Sequence, residues 1–241
     1  MDGTPILALI PAWNEATRIA PIVKATLAYL PVLVVDDGSH DDTSAVAEAA
    51  GATVVRHPQN HGKGVALMTG FEWALKRGYD AVLTLDADGQ HDPADIPKLL
   101  AAYQAGAGEL IIGQRNFGQM PFPRFFTNPF GSWLLSRVLQ TRIYDNQSGF
   151  RLHSRRFLET LDLTTTGFEL EVEVIIQAVC QGIPIGWVDI RTIYSIDKVS
   201  YFHPLKDSAR FMGMVWYAWR QRRLTAANRA RLARASNRRA G

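Results

Sequence analysis

Asp86 and Asp88, one residue apart and followed by Gln90, are the residues whose types and spacing suit chemistry. Two carboxylates and an amide oxygen make a hard donor set. Mg²⁺ or Mn²⁺ is commonly held by one or two such carboxylates together with the phosphates of a substrate. The acids close an apolar, β-branched run, Val82-Leu83-Thr84-Leu85, with the composition of a buried parallel strand. Asp92-Pro93 then predicts a helix start, with Asp92 as N-cap, Pro93 in the first helical position and Asp95 in the first turn. The pair is therefore expected in a loop at the carboxyl end of a strand, where open α/β sheets bind their ligands. A calcium loop of the EF-hand type would need Gly and Glu where His91 and Pro97 stand. An Asp-x-Asp-Gly-Thr nucleophile would need Thr where Gln90 stands. The competing structural reading is a polar strand end with solvated acids.

The elements that would position this pair alternate along the chain. Ile6–Ile10 reads as a first strand running into Pro11-Ala12-Trp13-Asn14-Glu15, with a helix to about Tyr29. Val32–Val35 is a second strand, ending in Asp36-Asp37-Gly38-Ser39, and Asp41 or Asp42 caps a helix to about Ala50. Thr53–Val55 is a short third strand. A loop from Pro58 to Gly64 precedes a helix over Val65–Lys76, and a later strand is expected over Ile185–Ile193. Short apolar strands alternating with helices imply βαβ units and a largely parallel sheet. The first βα turn lacks Gly-x-Gly-x-x-Gly and no P-loop pattern occurs, which argues against dinucleotide oxidoreductases and P-loop NTPases. A nucleotide could still lie across these strand ends, its base near Trp13 and Asp37 and its diphosphate on the metal.

With 47% apolar and 20% charged residues, the 241-residue chain has an ordinary globular composition. It is read as a single domain over residues 1–209 and a basic amphipathic helix and tail over 210–241. One cysteine, Cys180, rules out an internal disulfide and fits a reducing compartment. With six scattered histidines, no zinc site is predicted. No signal peptide is predicted, and no run approaches the roughly 20 apolar residues of a membrane helix. The net charge of +3 hides an asymmetry. Nine arginines and no acid follow residue 209, leaving 17 basic against 23 acidic residues before it. Such a tail suits an anionic surface: membrane, nucleic acid or an acidic partner.

Pro-Ala-Trp-Asn-Glu (11–15), Val-Val-Asp-Asp-Gly-Ser (34–39), Asn-His-Gly-Lys-Gly (60–64) and Asp-Ala-Asp-Gly-Gln-His (86–91) together resemble family 2 glycosyltransferases. The likeness is nearest to the polyprenyl-phosphate (dolichyl-phosphate) hexose synthases. Gly113-Gln114-Arg115, Asp145-Asn146-Gln147-Ser148-Gly149-Phe150-Arg151 and Gly167-Phe168-Glu169 agree with it, so it spans about residues 5–210. The resemblance implies the α/β GT-A (nucleotide-diphospho-sugar transferase) fold, a Rossmann-like, mostly parallel central sheet flanked by helices. It implies a UDP- or GDP-hexose donor, Mg²⁺ or Mn²⁺, and a lipid-phosphate acceptor. Pro11, Trp13 and Glu15 match the loop that contacts the nucleotide, and Asp37 the acid that reads the base. Asp86 and Asp88, with Ala87 between them, match the pair for metal and diphosphate, and Gln90 an added metal ligand. Lys63 lies in a matched block and is counted with the donor-binding residues. Arg115 matches a cation near the donor and the acceptor phosphate, and Lys198 a late basic residue closing over the diphosphate.

The acceptor would then come from the second half. Pro121–Phe130 is dense in aromatics and proline and leads into an amphipathic helix, Gly131–Leu139. Its aromatics suit core packing or an isoprenoid chain, with Arg115, Arg124 or Arg151 on the phosphate. A phosphate acceptor is already anionic and needs no general base, whereas a hydroxyl does. Glu171 or Glu169, near Glu173, is the candidate base, or these acids simply favour a helix N-terminus. The chemistry would be direct displacement at the anomeric carbon with inversion, the metal stabilising the leaving diphosphate and arginines positioning two anions. Asp88, Arg115 and Glu171 are the expected catalytic set. His153 is expected at the surface or just behind the site. Phe211–Trp219 followed by Arg220-Gln221-Arg222-Arg223 has the composition of an interfacial helix. The expected location is cytoplasmic, peripheral on the inner face of the cell membrane. Nucleic-acid binding through the Arg-rich tail ranks last, because the basic excess is confined to the terminus and the body is acidic. The alternatives kept are a hydroxyl-acceptor transferase and a non-catalytic membrane-associated module of the same fold.

Overall fold

Seven short strands pair into one sheet. The computed structural model describes residues 5–115, 124–167, 169–191, 193 and 204–237. In chain order the elements are β1 (Ile6–Ala12), α1 (Ile19–Leu27), β2 (Val32–Asp36), α2 (Thr43–Ala49), β3 (Thr53–Arg56), α3 (Lys63–Lys76) and β4 (Ala81–Thr84). A 3₁₀ turn over Pro93–Asp95 leads into α4 (Ile96–Gln104) and β5 (Leu110–Arg115). Then come α5 (Arg124–Leu139), β6 (Arg151–Ser154), α6 (Arg155–Leu158), α7 (Glu169–Gln181), β7 (Ile185–Ile190) and α8 (Pro204–Asn237).

The strand order is β3-β2-β1-β4-β6-β5-β7. All neighbours are parallel except β6, which runs antiparallel to both β4 and β5. The sheet is thus mostly parallel, as the alternation of elements predicts. Strand periodicity sends alternate residues to opposite faces. Leu7 and Leu9 of β1 face a core shared with α3, α5, α7 and α8, at Phe71, Leu135, Ile175 and Met214. Ile6, Ala8 and Ile10 face a core built with α1 and α4, at Ile19, Val23, Ile96 and Leu99.

Three features of the packing have physical causes. β1 continues through Pro11 to Ala12. Pairing with β4 ends at Leu9–Thr84, so no ladder bond needs the N–H that Pro11 lacks. His153, expected at the surface or just behind the site, is only 2% exposed on β6, beside the cavity that Lys63 and Asp86 also line, its ring 5.1 Å from that of Phe71 and 6.4 Å from that of Phe157. α8 spans Pro204–Asn237, and its Met214, Val215 and Ala218 are buried. Arg222 of α8 donates to the Val138 carbonyl at the end of α5 (2.9 Å), the usual use of a cation at a helix C-terminus.

Candidate active site

The sheet brings the polar strand ends to one edge. β1, β2 and β4 are parallel neighbours, and β5 runs in the same direction beyond β6. Trp13, Asp37, Asp86 and Arg115 therefore all lie at or just past carboxyl ends. The antiparallel β6 delivers the opposite end of its strand there, bringing the loop Asp145–Phe150 and Arg151.

Two loops are laced together at the β1–β2 end. Asn14, at a left-handed φ of 55°, donates its N–H to Ser39 Oγ (2.9 Å) and accepts from His40 N–H (2.8 Å); asparagine tolerates this region better than most residues. Glu15 N–H donates to Thr43 (2.8 Å), and the Glu15 carboxylate pairs with Arg18 (2.6 Å). Trp13 is left 45% exposed, an open aromatic face at the site's mouth. Asp37 is buried and already engaged. It accepts from the N–H groups of His61 (3.0 Å) and Gly62 (2.7 Å) and lies 2.7 Å from His57 Nδ1. It orders the loop leading to Lys63.

Asp86 is held from three sides. Its Oδ1 is 2.6 Å from the Lys63 ammonium. A Cβ at position 149 would sit 2.7 Å from Oδ2 and 2.8 Å from Oδ1, so Gly149 is the residue that admits the carboxylate. Asp86 N–H donates to His91 Nδ1 (3.2 Å), which places the His91 proton on Nε2. His91 is buried and stacked on Phe150. Burial alone would raise the Asp86 carboxyl, but the charge of Lys63, with Arg115 behind it, holds it down at about 2. Burial pulls Lys63 downward, and Asp86 and Glu171 outweigh it, so the ammonium stays charged far above neutral pH. His91 is lowered mainly by burial, against the pull of Asp86 and Asp88, in keeping with a neutral ring.

Downstream, Ala87 is buried, Asp88 Oδ1 accepts from Gln90 N–H (2.9 Å), and the Gln90 carbonyl accepts from Ile193 N–H (3.0 Å). Asp92 caps the following turn through Ala94 N–H (2.9 Å), as its position before Pro93 predicts. Arg115 forms a two-pronged pair with Asp145 (2.7 and 2.9 Å). Burial would raise Asp145, but Arg115 keeps it ionised. Arg151, considered for the acceptor phosphate, is 1% exposed and donates to the carbonyls of Ser148, Glu171 and Asn146. It is a brace of the frame.

The acids of α7 are engaged as well. Glu171, expected as a base, is 2.6 Å from Lys63 with a side chain 7% exposed. Glu173 accepts from the N–H and hydroxyl groups of Thr164 and Thr165 at 2.7–3.1 Å. Glu169 lies 3.4 Å from Arg210. Lys198, residues 121–123 and 200–203, and the side chain of Arg124 lie outside the described residues. Sequence reasoning missed Asp145 and Gly149 as site residues, although both stand in one of the matched blocks.

The donor set of Asp86, Asp88 and Gln90 is all oxygen and fits a hard divalent cation, and the glycine at 149 keeps space beside Asp86. Among the described residues no three His, Cys, Asp or Glu side chains group as a protein-only metal cage. An ion here would share its ligands with substrate phosphates.

The fold is that of known sugar transferases. Glucosyl-3-phosphoglycerate synthase from Mycobacterium tuberculosis, solved with Mn²⁺, UDP and phosphoglyceric acid, superposes with a TM-score of 0.73 at 22% identity, over 91% of this chain and 78% of that one. The sheet is therefore the GT-A fold. Polyprenol monophosphomannose synthase from Mycolicibacterium smegmatis is 31% identical over 76% of each chain. The UDP-N-acetylglucosamine–dolichyl-phosphate N-acetylglucosaminyltransferase of Methanococcus voltae is 31% identical over 79% of this chain and 86% of its own. The protein is a glycosyltransferase related to polyprenyl-phosphate sugar transferases. With residues 8–162 matching the model of Glycosyl transferase family 2, the chain belongs to that family.

Proposed function

We propose that this enzyme moves a hexose from a nucleoside-diphosphate sugar, a UDP- or GDP-hexose, to the phosphate of a polyprenyl-type lipid, inverting the anomeric carbon. The observation that carries the acceptor is the engagement of Glu169, Glu171 and Glu173 by Arg210, Lys63 and the Thr164–Thr165 segment. A hydroxyl acceptor needs a general base, for which these acids are the candidates; a phosphate oxygen attacks as an anion. The relatives named for polyprenol and dolichyl-phosphate chemistry support the same choice.

On this reading Trp13 stacks on the base, and Pro11, Glu15 and Asp37 shape its loop. Asp86, Asp88 and Gln90 would hold Mg²⁺ or Mn²⁺, whose bound charge offsets that developing on the leaving diphosphate. Arg115, oriented by Asp145, brings donor and acceptor phosphates together against their repulsion. The acceptor lies on a membrane. α8 turns Met212, Trp216 and Trp219 outward, α5 turns Phe130 and Trp133 outward, and arginines flank both sets. No helix among the described residues is long and apolar enough to cross a membrane, so the attachment proposed is peripheral. The proposed location is the inner, cytoplasmic face.

The deciding experiment is radiolabelled transfer from UDP-glucose, UDP-N-acetylglucosamine and GDP-mannose to polyprenyl phosphate in detergent, with Mn²⁺ or EDTA. Lipid product is expected from one donor, lost with EDTA and with Asp88→Ala. Donor hydrolysis without lipid product would overturn the phosphate acceptor.

A further inference from the structure

Lys63 joins two acids that lie far apart in the chain. Its ammonium is 2.6 Å from Asp86 Oδ1, just past β4, and 2.6 Å from Glu171 Oε1, in the first turn of α7. The frame around it leaves little freedom. Gly64 N–H at the start of α3 donates to Thr166 O (2.9 Å). A Cβ on Gly62 would come within 2.6 Å of Thr166 O and one on Gly64 within 2.7 Å of Thr166 C, so the glycines let the two backbones meet. Arg151 anchors the Glu171 carbonyl (2.6 Å). The three interacting side chains are 17%, 27% and 7% exposed. An ion pair this shielded is costly to break by removing one member, because a buried charge is left without its partner.

We propose that Lys63 and Glu171 are a positioning pair for Asp86: Lys63 fixes the carboxylate, and Glu171 balances Lys63 so that Asp86 can still take a cation. The proposal rests on the donor site described above. Two acids share one ammonium, so neither alone neutralises it. Without the charge on Glu171, Lys63 would bear more strongly on Asp86 and compete more strongly with a divalent ion. Glu171 then acts only through Lys63 and takes no proton from substrate. Residues that orient a metal ligand from behind typically change metal affinity or activity about 10–100-fold when replaced.

The test is Mn²⁺ binding to the full chain in the presence of UDP or of GDP, followed by electron paramagnetic resonance, alongside kcat and the Mn²⁺ concentration for half-maximal rate. Glu171→Gln should weaken Mn²⁺ binding about tenfold or more, with kcat at saturating Mn²⁺ nearly unchanged. In a Lys63→Met background Glu171→Gln should add no further loss, because a residue acting through a missing partner has nothing left to do. Lys63→Arg should bind Mn²⁺ better than Lys63→Met. A collapse of kcat in Glu171→Gln at unchanged Mn²⁺ affinity would overturn the proposal and restore Glu171 as a base. Losses that multiply in the double variant would overturn it too. Should Lys63→Met fail to fold, the split between kcat and Mn²⁺ affinity in Glu171→Gln decides alone. An unmodified enzyme that binds no Mn²⁺ with either UDP or GDP would overturn this proposal and the donor-site reading together. Equal binding by Glu171→Gln would overturn the positioning role and leave the donor site standing.

Discussion

At the scale of single residues, His153 ties stability to pH although it takes no part in the proposed chemistry. Its ring lies between Phe71 and Phe157 on β6. Burial, with the neighbouring Arg151 charge adding to it, pushes its pKa down to about 3. The unfolded chain takes up this proton near pH 6.5, and the native state does not. The stability linked to His153 is therefore complete above about pH 6.5 and is lost as the pH falls from there toward 3, by up to about 1.4 kcal/mol per pH unit. His91 is also lowered by burial and acts in the same direction. Asp86 titrates later: its contribution is present above about pH 4 and lost as the pH falls toward 2. Thermal unfolding from pH 7 to 4 should show the midpoint dropping before the carboxylates titrate. His153→Phe, which keeps an aromatic between the two rings, should flatten that drop. An equally steep fall in the variant would assign the acid sensitivity elsewhere.

Among elements, α7 shows what can and cannot be read from the chain. Residues 170–178 of this helix are all buried, and its acids survive there because each has a partner. Glu173 is fully buried and collects the donors of Thr164 and Thr165, fixing the loop whose Thr166 carbonyl receives Gly64 N–H. Glu173→Gln trades an acceptor-only group for one that turns an NH₂ toward those donors. It should cost about 2–3 kcal/mol in urea unfolding. Activity should fall too, because the loop sets the start of α3 and hence Lys63. Full activity at reduced stability would separate the loop from the site. The parallel half of the sheet was legible because Val32–Val35 and Val82–Leu85 are continuous apolar runs ended by acids. The Asp92-Pro93 cap was legible because its partner, Ala94, is two residues away. The antiparallel β6 was not, since Arg151-Leu152-His153-Ser154 carries polar residues that only its neighbours make acceptable. Nor was the partner of Glu171, which lies 108 residues earlier at Lys63. Periodicity reports the face of an element and says nothing of a contact across the fold.

The charge pattern of the whole molecule sets how it would meet a surface. The body before residue 210 has more acidic than basic residues, and nine arginines follow. An anionic membrane repels the first and attracts the second, so the field alone orients the protein with α8 toward lipid. The inner face of α8 is already packed at Met214, Val215 and Ala218, so Met212, Trp216 and Trp219 on its other side are not a displaced core. Arg220 and Arg223 lie over the rings of Trp216 and Trp219, at 5.7 and 4.2 Å from their centroids. Such pairs suit the headgroup layer, where a ring enters the acyl boundary and a cation stays at the phosphates. The two forces can be separated. Each arginine near an anionic surface contributes about 1 kcal/mol that salt screens, whereas ring insertion is insensitive to salt. Sedimentation with vesicles should therefore show strong binding to phosphatidylglycerol-containing membranes at low salt, reduced but not abolished in high salt. Replacing Arg220 and Arg223, two of the nine arginines, by Gln should weaken low-salt binding by about 2 kcal/mol and leave the part that survives high salt. Trp216→Ala with Trp219→Ala should remove the part that survives high salt. A chain that stays in the supernatant with anionic vesicles at low salt would show that neither force acts. The outward rings of α5 and α8 would then need a protein partner, and the lipid acceptor would have to be delivered in solution.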